Sequence, residues 1–521
     1  MTDPSPPEPW WKSAVAYQVY PRSFCDTTGS GEGDLAGVTA HLDHLRWLGV
    51  DAIWLSPFFP SPMRDGGYDV SDYCDVDPRY GDLAAFDHLL AAAHRRDLKV
   101  IVDWVPNHTS DQHPWFVSSR DDPDGPHGDW YVWRDGDPDS PGPDGPPPNN
   151  WVESLTFGPA WSWDDTRGQW YLHNFYPSQP DLDWSNPAVQ DAMFDTLRFW
   201  LDRGVDGFRM DVVNLIGKDP ALPDTPADLA GLPQLVLNDR PETHELLRSI
   251  RALLDSYPGD RMAIGEVVLL DIGGILGHLG TPREPELHLA FNFPPMQRPW
   301  SAADWRAGIA DTERDYTAAG AWPTWVLSNH DVVRHRTRYG GDERIARAAA
   351  VLLLGLRGTP FLYAGEELGL LDAIVPEERR DDPAGRDGCR APIPWDPTPT
   401  HGWRHADNWL PWPPEPEVRN VSTLAADETS IANLYRETIA LRRAHPALRA
   451  GTLELLDGTD PDVVAWRRTD GDDSVVVAVN FADGPRPCPA TGEVLLSSAG
   501  PGDDAASAQL GPYEARVGRE S

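Results

Sequence analysis

Cysteine is scarce: four residues in 521, at Cys25, Cys74, Cys389 and Cys488, with no CxxC pair and no short metal-ligand spacing. This excludes a disulfide framework or a zinc–cysteine site as the basis of the fold and makes reduced thiols the expectation. Basic charge is also in short supply. Lys and Arg number 44 against 82 Asp and Glu, a formal net charge of −38, and no basic run occurs, so a phosphate backbone or an anionic membrane finds nothing to pair with. Long apolar stretches are missing too. The longest, Ala348 to Leu356, meets Arg357, Gly358 and Pro360, well short of the roughly 20 residues that span a bilayer. The leading Met-Thr-Asp-Pro-Ser-Pro-Pro-Glu-Pro lacks the basic and apolar regions of a secretory signal. The expectation is a cytoplasmic protein with neither nucleic-acid nor membrane partners, and nothing in the sequence sets its oligomeric state.

What the chain does have is a regular alternation. Leu42-Leu45-Leu48 at helical spacing precedes Val50–Leu55; Phe86-Leu89-Leu90-Ala93 precedes Lys99–Val102; Met193-Leu197-Trp200-Leu201 precedes Gly207-Phe208; Leu246-Ile250-Leu253-Leu254 precedes Met262–Ile264; Ala348–Leu356 precedes Pro360–Tyr363. Helix-period patterns alternating with short apolar runs imply βαβ units and a parallel sheet. With Ala16–Tyr20 first and Leu287–Phe291 sixth, eight strands can be counted, the number of a (β/α)8 barrel. Residues 108–177, rich in Trp, Asp, Gly and Pro, interrupt the rhythm after the third strand and read as an inserted domain. The barrel is thus expected in two parts, 1–107 and 178–447. From 448 to 521 the helical period stops and short β runs such as Val475–Val479 take over, which predicts a C-terminal antiparallel β-sandwich. The acidic stretch around Asp503 and Asp504 is expected to be partly mobile.

Four of the apolar runs end on polar groups: Val102-Asp103-Trp104-Val105-Pro106-Asn107-His108, Gly207-Phe208-Arg209-Met210-Asp211, Ile264-Gly265-Glu266 and Leu327-Ser328-Asn329-His330-Asp331. The C-terminal ends of barrel strands are where such folds carry active sites. Three convergent carboxylates suit glycosidic bond chemistry. Arg209, two positions before Asp211 on a strand, faces the same way, and a neighbouring cation favours an ionised carboxylate able to attack an anomeric carbon. Glu266 then has to hold a proton near neutral pH, which like charges at Asp211 and Asp331 favour. A retaining pair stands about 5 to 5.5 Å apart. A metal centre built from Asp103, His108, Glu266 and His330 is disfavoured, because Arg209 beside the key Asp repels a cation.

These motifs resemble the α-amylase superfamily of glycoside hydrolases, and within it the α-glucosidase and oligo-1,6-glucosidase branch. The likeness extends along nearly the whole chain, through Tyr20-Pro21-Arg22-Ser23-Phe24, Gly67-Tyr68-Asp69-Val70-Ser71-Asp72-Tyr73, Gln179-Pro180-Asp181-Leu182-Asp183-Trp184 and Ala364-Gly365-Glu366-Glu367-Leu368-Gly369. The resemblance implies Asp211 as nucleophile, Glu266 as acid/base and Asp331 as a third carboxylate gripping the sugar 2- and 3-hydroxyls. It implies hydrogen bonds from His108 and His330 to glucose, stacking by Tyr68, and first- and second-subsite positions for Phe157, Phe175 and Gln179. Asp65 matches the acid at the pocket floor, paired with Arg386 in preference to Arg390, which closes the pocket behind one glucose and implies exo attack on short α-glucosides. No cofactor is implied for catalysis. A structural Ca2+ is implied for the loop carrying Asp26, Thr28, Ser30, Glu32 and Asp34, although Thr28 and Ser30 replace two strong ligands.

Two departures bear on substrate. Val212 follows the expected nucleophile, where in part of the family Val accompanies α-1,6 and Thr α-1,4 cleavage. The segment Arg386-Asp387-Gly388-Cys389-Arg390-Ala391-Pro392-Ile393-Pro394-Trp395 differs from the Arg-Thr-Pro-Met-Gln-Trp version of typical oligo-1,6-glucosidases. The expectation is therefore maltose-type activity with broad linkage tolerance. The alternatives are an oligo-1,6-glucosidase, or a transglucosylase or sugar isomerase using the same covalent intermediate. A non-catalytic transporter partner is more remote, since the catalytic carboxylates are kept.

Overall fold

The computed structural model describes residues 8–519 apart from 141, 406, 490–491 and 501–507, so Asp503 and Asp504 lie outside the described residues. Eight strands share one sheet: β1 (Ala16–Val19), β2 (Ala52–Leu55), β3 (Lys99–Trp104), β4 (Gly207–Met210), β5 (Met262–Gly265), β6 (Leu289–Ala290), β7 (Thr324–Val326) and β8 (Thr359–Tyr363). Their hydrogen-bonded order is β7-β8-β1-β2-β3-β4-β5-β6. That is chain order cyclically shifted, the neighbour relation of a (β/α)8 barrel. β1, β2, β4 and β5 are buried along their whole length, as expected of parallel strands covered on both faces. The sixth strand is shorter than its apolar run, with only Leu289 and Ala290 in the ladder.

The chain forms two compact units, one made of residues up to 54, 91–99 and 291–521, the other of 55–90 and 100–290. In the first, β8 lies between β1 and β7, with Ala16 opposite Phe361 and Thr324 opposite Thr359. Trp54, Phe291 and Phe361 pack around them in tilted and edge-to-face contacts at centroid separations of 5.6 and 5.0 Å. The long apolar run is an interior helix, Glu343–Gly355, in which every residue from Ala348 to Gly355 is buried. It starts on an Asp342 side-chain cap, which accepts one of the N–H groups a first turn leaves unpaired.

The same unit holds a five-stranded antiparallel sheet, in the order Thr452–Leu455, Val463–Asp470, Asp473–Asn480, Ala515–Arg519, Val494–Ser497, and a two-stranded ribbon of Arg486–Pro487 with Gln509–Leu510. A two-residue turn at Gly471 and Asp472 joins its central pair, with Asp470 opposite Asp473. Gly471 has φ +57°, the left-handed geometry that matches the twist of such hairpins. The buried Trp466 and Arg468 both donate to the Gly355 carbonyl, at 3.1 and 2.9 Å.

In the second unit β4 runs parallel between β3 and β5, with Asp103 opposite Arg209 and Arg209 opposite Ile264. The helix before β4, Pro187–Arg203, begins with an Asn186 cap and Pro at its first position and stops at Gly204, φ +102°. Met193, Leu197, Trp200 and Leu201 are buried on it, the face that the spacing predicts. Between β3 and that helix, Trp133–Arg134, Gln169–Leu172 and Trp161–Asp164 make a three-stranded antiparallel sheet over a core of Val132, Trp151, Ala160, Trp161, Trp170 and Leu172.

One buried cation organises the turn into β8. Arg442, on the helix Ile431–Ala444, donates to the carbonyls of Leu354 and Leu356 at 2.8 and 2.9 Å and to that of Gly358. Burial lowers its pKa to about 10, so it remains charged at neutral pH. Replacing it with an apolar chain strands three carbonyls, each costing about 1–3 kcal/mol if left unpaired in the interior. Arg442→Met is expected to lower the melting temperature well beyond the half-exposed neighbour Arg443→Met; equal melting of the two variants by calorimetry would contradict this account.

Candidate active site

In the second unit the structure gathers the ends of β3, β4 and β5 around a single guanidinium. Arg209 Nη1 donates to Asp103 Oδ1 at 2.9 Å and to Asp211 Oδ1 at 2.6 Å, and Nη2 donates to Glu266 Oε2. Strand geometry produces this directly. Asp103 is Arg209's partner across the β3–β4 ladder, Asp211 lies two residues on, and Glu266 follows β5. The backbone continues the ladder past both strand ends, since Asp211 N donates to Trp104 O and Glu266 N to Met210 O, each at 2.8 Å. The side chains of Arg209 and Asp103 are 2% and 0% exposed, whereas Asp211 and Glu266 retain 8% and 13%. The two acids expected to meet substrate are the two that keep access to it.

Burial pushes the Asp211 carboxyl well above the ordinary carboxylate range, with Arg209 opposing and Glu266 and Asp103 reinforcing the rise. The expected effect of Arg209, which favours the ionised Asp211, is thus opposed by burial and by the two neighbouring carboxylates. One guanidinium serves three carboxylates, an imbalance that favours retention of a proton in the cluster. A carboxylate pair sharing one proton is a paired base and acid.

Tyr68, the expected stacking residue, is fixed by donating its hydroxyl to Asp103 Oδ2 at 3.0 Å, with the Arg209 guanidinium 5.5 Å from its ring centre. Gln179 takes its orientation from Tyr176 N, which donates to Oε1, so its amide nitrogen faces Asp65 Oδ2 at 2.9 Å and His108 Nε2 at 3.1 Å. Asp65, Gln179 and His108 are thus brought together. Burial pushes the His108 pKa down, which keeps the imidazole neutral. Phe175 lies 5.1 Å from the His108 ring and packs with Val212 and Leu215. Phe157 is 61% exposed, at φ +60°, on a turn whose N–H groups from Leu155, Thr156 and Gly158 all donate to the Glu153 carboxylate.

In the first unit His330 and Asp331 follow β7. Gln18 on β1 donates its amide to His330 Nδ1 at 2.8 Å, and His330 Nε2 stands 3.1 Å from Asp331 Oδ2. Asp331 Oδ1 accepts from both Arg386 Nη1 at 3.0 Å and Arg390 Nη2 at 3.1 Å. Arg386 is also clamped by Asp382, and Arg390 donates to the His330 carbonyl. Both candidate arginines therefore serve Asp331.

The expected calcium loop is satisfied by its own hydrogen bonds. Asp26 Oδ1 accepts from Thr28 N and Gly29 N, and Oδ2 from Gly31 N. Asp34 accepts from Thr27 and caps the helix Leu35–Ala40 through Gly37 N. Ser30 Oγ donates to the Glu32 carbonyl, and the Glu32 carboxylate pairs with Arg22 at 2.6 Å.

Sequence reasoning left three positioning groups without a role: Asp103, Gln18 and Lys218. Lys218 Nζ ties Asn107 Oδ1 at 2.9 Å to the Asp181 carboxylate at 3.1 Å beneath His108. Asp103 alone carried a signal, as the one acid inside an apolar strand.

The raised Asp211 pKa has a consequence for stability. A carboxyl lifted above its unfolded value near 3.9 contributes fully below that value and loses its contribution as pH rises through the folded pKa. Asp211→Asn, which never ionises, escapes that loss. It is expected to melt above the wild type at pH 7 and to lose this advantage near pH 4. Lower melting of the variant at both pH values would mean that the Arg209 pairing outweighs burial.

Comparison with known proteins agrees with this geometry. Residues 18–451 match the family described as alpha amylase, catalytic domain, and residues 449–517 match a domain of unknown function, DUF3459. The chain is 42% identical over 508 residues to a probable alpha-glucosidase of Rhizobium meliloti, covering 92% of this chain and 90% of that one. It is 38% identical to an oligo-1,6-glucosidase of Parageobacillus thermoglucosidasius, covering 91% of each. The solved alpha-glucosyl transfer enzyme XgtA superimposes with a TM-score of 0.88 at 41% identity, covering 98% of this chain and 100% of that one. A catalytic-domain match from residue 18 to 451 and relatives of this similarity show that the chain belongs to the α-amylase family and is a glycoside hydrolase.

Proposed function

We propose that the protein is a retaining exo-α-glucosidase that releases glucose from the non-reducing ends of short α-glucosides. The observation that carries this reading is the clasp of Asp211 and Glu266 on one buried guanidinium beside Asp103. Such a clasp suits two carboxyls held close together and sharing a proton, the requirement of double displacement. An Asp211 oxygen attacks the anomeric carbon while Glu266 delivers its proton to the departing glycosidic oxygen. Glu266 then takes a proton from water as that water attacks the same carbon, freeing Asp211 and returning the α-anomer. Asp331 and His330 are assigned to the 2- and 3-hydroxyls, His108 to a further hydroxyl, and Asp65 to the closed end of the glucose pocket. The reaction as written needs no cofactor.

For linkage, the reading favours maltose-type α-1,4 bonds with α-1,6 bonds also cleaved. Val212 is buried against Phe175 and Leu215, and an apolar contact of that size shifts preference by about 1–3 kcal/mol, too little for exclusion. Transfer to a sugar acceptor is the second reading, favoured by the likeness to a glucosyl transfer enzyme.

Asp211→Asn is expected to remain folded and to lose several orders of magnitude in kcat; near-normal turnover would end the assignment. Proton NMR of the first product should show α-glucose, and the β-anomer would exclude double displacement. Maltose and isomaltose should both release glucose, with starch poorly used; efficient internal cleavage of starch would overturn the exo reading.

A further inference from the structure

Three metal-competent side chains converge on the second unit, and none belongs to the Arg209 cluster: Asp239, His244 at the start of the helix Pro241–Asp255, and His278 just after the helix Ile272–Gly277. One ligand atom from each lies within 4.8 Å of the other two. Asp239 Oδ1 stands 3.0 Å from His244 Nε2 and 4.0 Å from His278 Nε2.

The informative member is His278. Its side chain is wholly buried, and its Nδ1 lies 2.8 Å from the Gly274 carbonyl. A carbonyl only accepts, so Nδ1 carries the proton and Nε2 presents a lone pair. That Nε2 has no hydrogen-bond partner among the described residues, and the Asp239 oxygen 4.0 Å away is also an acceptor. A buried imidazole nitrogen and a half-exposed carboxylate oxygen, the latter also paired with His244 Nε2, face each other as acceptors across 4.0 Å, a position that suits a positive species between them.

The surroundings have the form of a metal site's supporting groups. His244 Nδ1 pairs with Glu286 Oε2 at 2.7 Å, and the other oxygen of Glu286 is held by Arg248 at 2.9 Å. A carboxylate behind one imidazole and a backbone carbonyl behind the other is the arrangement that directs both Nε2 atoms at a metal once the ion displaces the proton that His244 Nε2 now donates to Asp239. The 43% exposure of the Asp239 side chain provides an entry path and an open coordination position.

We propose that Asp239, His244 and His278 bind one divalent transition-metal ion of the zinc class as a two-histidine, one-carboxylate site. Two imidazoles and one carboxylate suit zinc, cobalt or nickel and not calcium or magnesium, which favour all-oxygen shells. With bonds of roughly 2.0–2.2 Å, tetrahedral ligand atoms sit about 3.3 Å apart, so the exposed Asp239 has to close on His278 by about 0.7 Å and the two imidazoles on each other by about 1.5 Å at most. The ion links the segment before the helix Pro241–Asp255 to the end of the helix Ile272–Gly277, bracing the stretch that leaves Glu266. Its role is structural.

Chelator-stripped full-length protein titrated calorimetrically with ZnCl2 is expected to bind one tight equivalent and to gain melting temperature with it. His278→Gln and Asp239→Asn should each weaken that equivalent at least tenfold and abolish the thermal gain, while Glu286→Gln should weaken it 10- to 100-fold. Asp239 lies at the surface, so its variant tests the site even if His278→Gln fails to fold. Cobalt should give the absorption of a low-symmetry complex in the wild type alone. Absence of a tight equivalent, or equal zinc affinity in wild type and Asp239→Asn, would overturn the proposal. None of these measurements depends on glucoside turnover, so failure here and failure of the glucosidase reading are separable.

Discussion

The chemistry of this protein depends on the charge balance at Arg209. A guanidinium with a 2% exposed side chain is tolerable in an apolar interior only when paired and hydrogen-bonded, and three carboxylates buried together are tolerable only around a cation. Each therefore requires the other. The cost of concentrating acids at the strand ends is offset locally, and the remaining imbalance favours a proton among them. Asp103 and Tyr68 secure one side of the guanidinium, leaving Asp211 and Glu266 on the side that keeps exposure.

Two other buried cations are satisfied without acids. Arg442 and Arg468 donate to backbone carbonyls at helix ends and turns, so they act as struts and not as charge partners. Planar, multiply donating guanidinium suits both tasks. The distinction separates architecture from chemistry: where arginine meets carbonyls it closes a turn, and where it meets carboxylates it organises ionisable groups. The Asp26–Asp34 loop is a variation, with backbone N–H groups and Arg22 satisfying the carboxylates in the place where relatives are expected to use a metal.

Much of the fold and of the candidate site was legible in the sequence. The apolar face of Pro187–Arg203, its Asn-Pro start and its Gly stop are local signals that the helix obeys, because backbone geometry and capping act over a few residues. The ends of β4 and β5 were visible because an apolar run broken by an acid is rare in a buried strand. Motif order did the rest, since no local rule names a sugar.

What the sequence by itself determined is residue type and period: which segments are strands, which acids end them, and which family they resemble. The tertiary structure decided the pairings. That Asp103 stands opposite Arg209 follows from β3–β4 register, and that burial opposes the Arg209 ion pair at Asp211 follows from how completely the cluster is covered. That Asp239 meets His278 follows from two helices whose sequences carry no mark of each other. Register, burial and long-range proximity depend on many contacts at once, and no short stretch of chain encodes them.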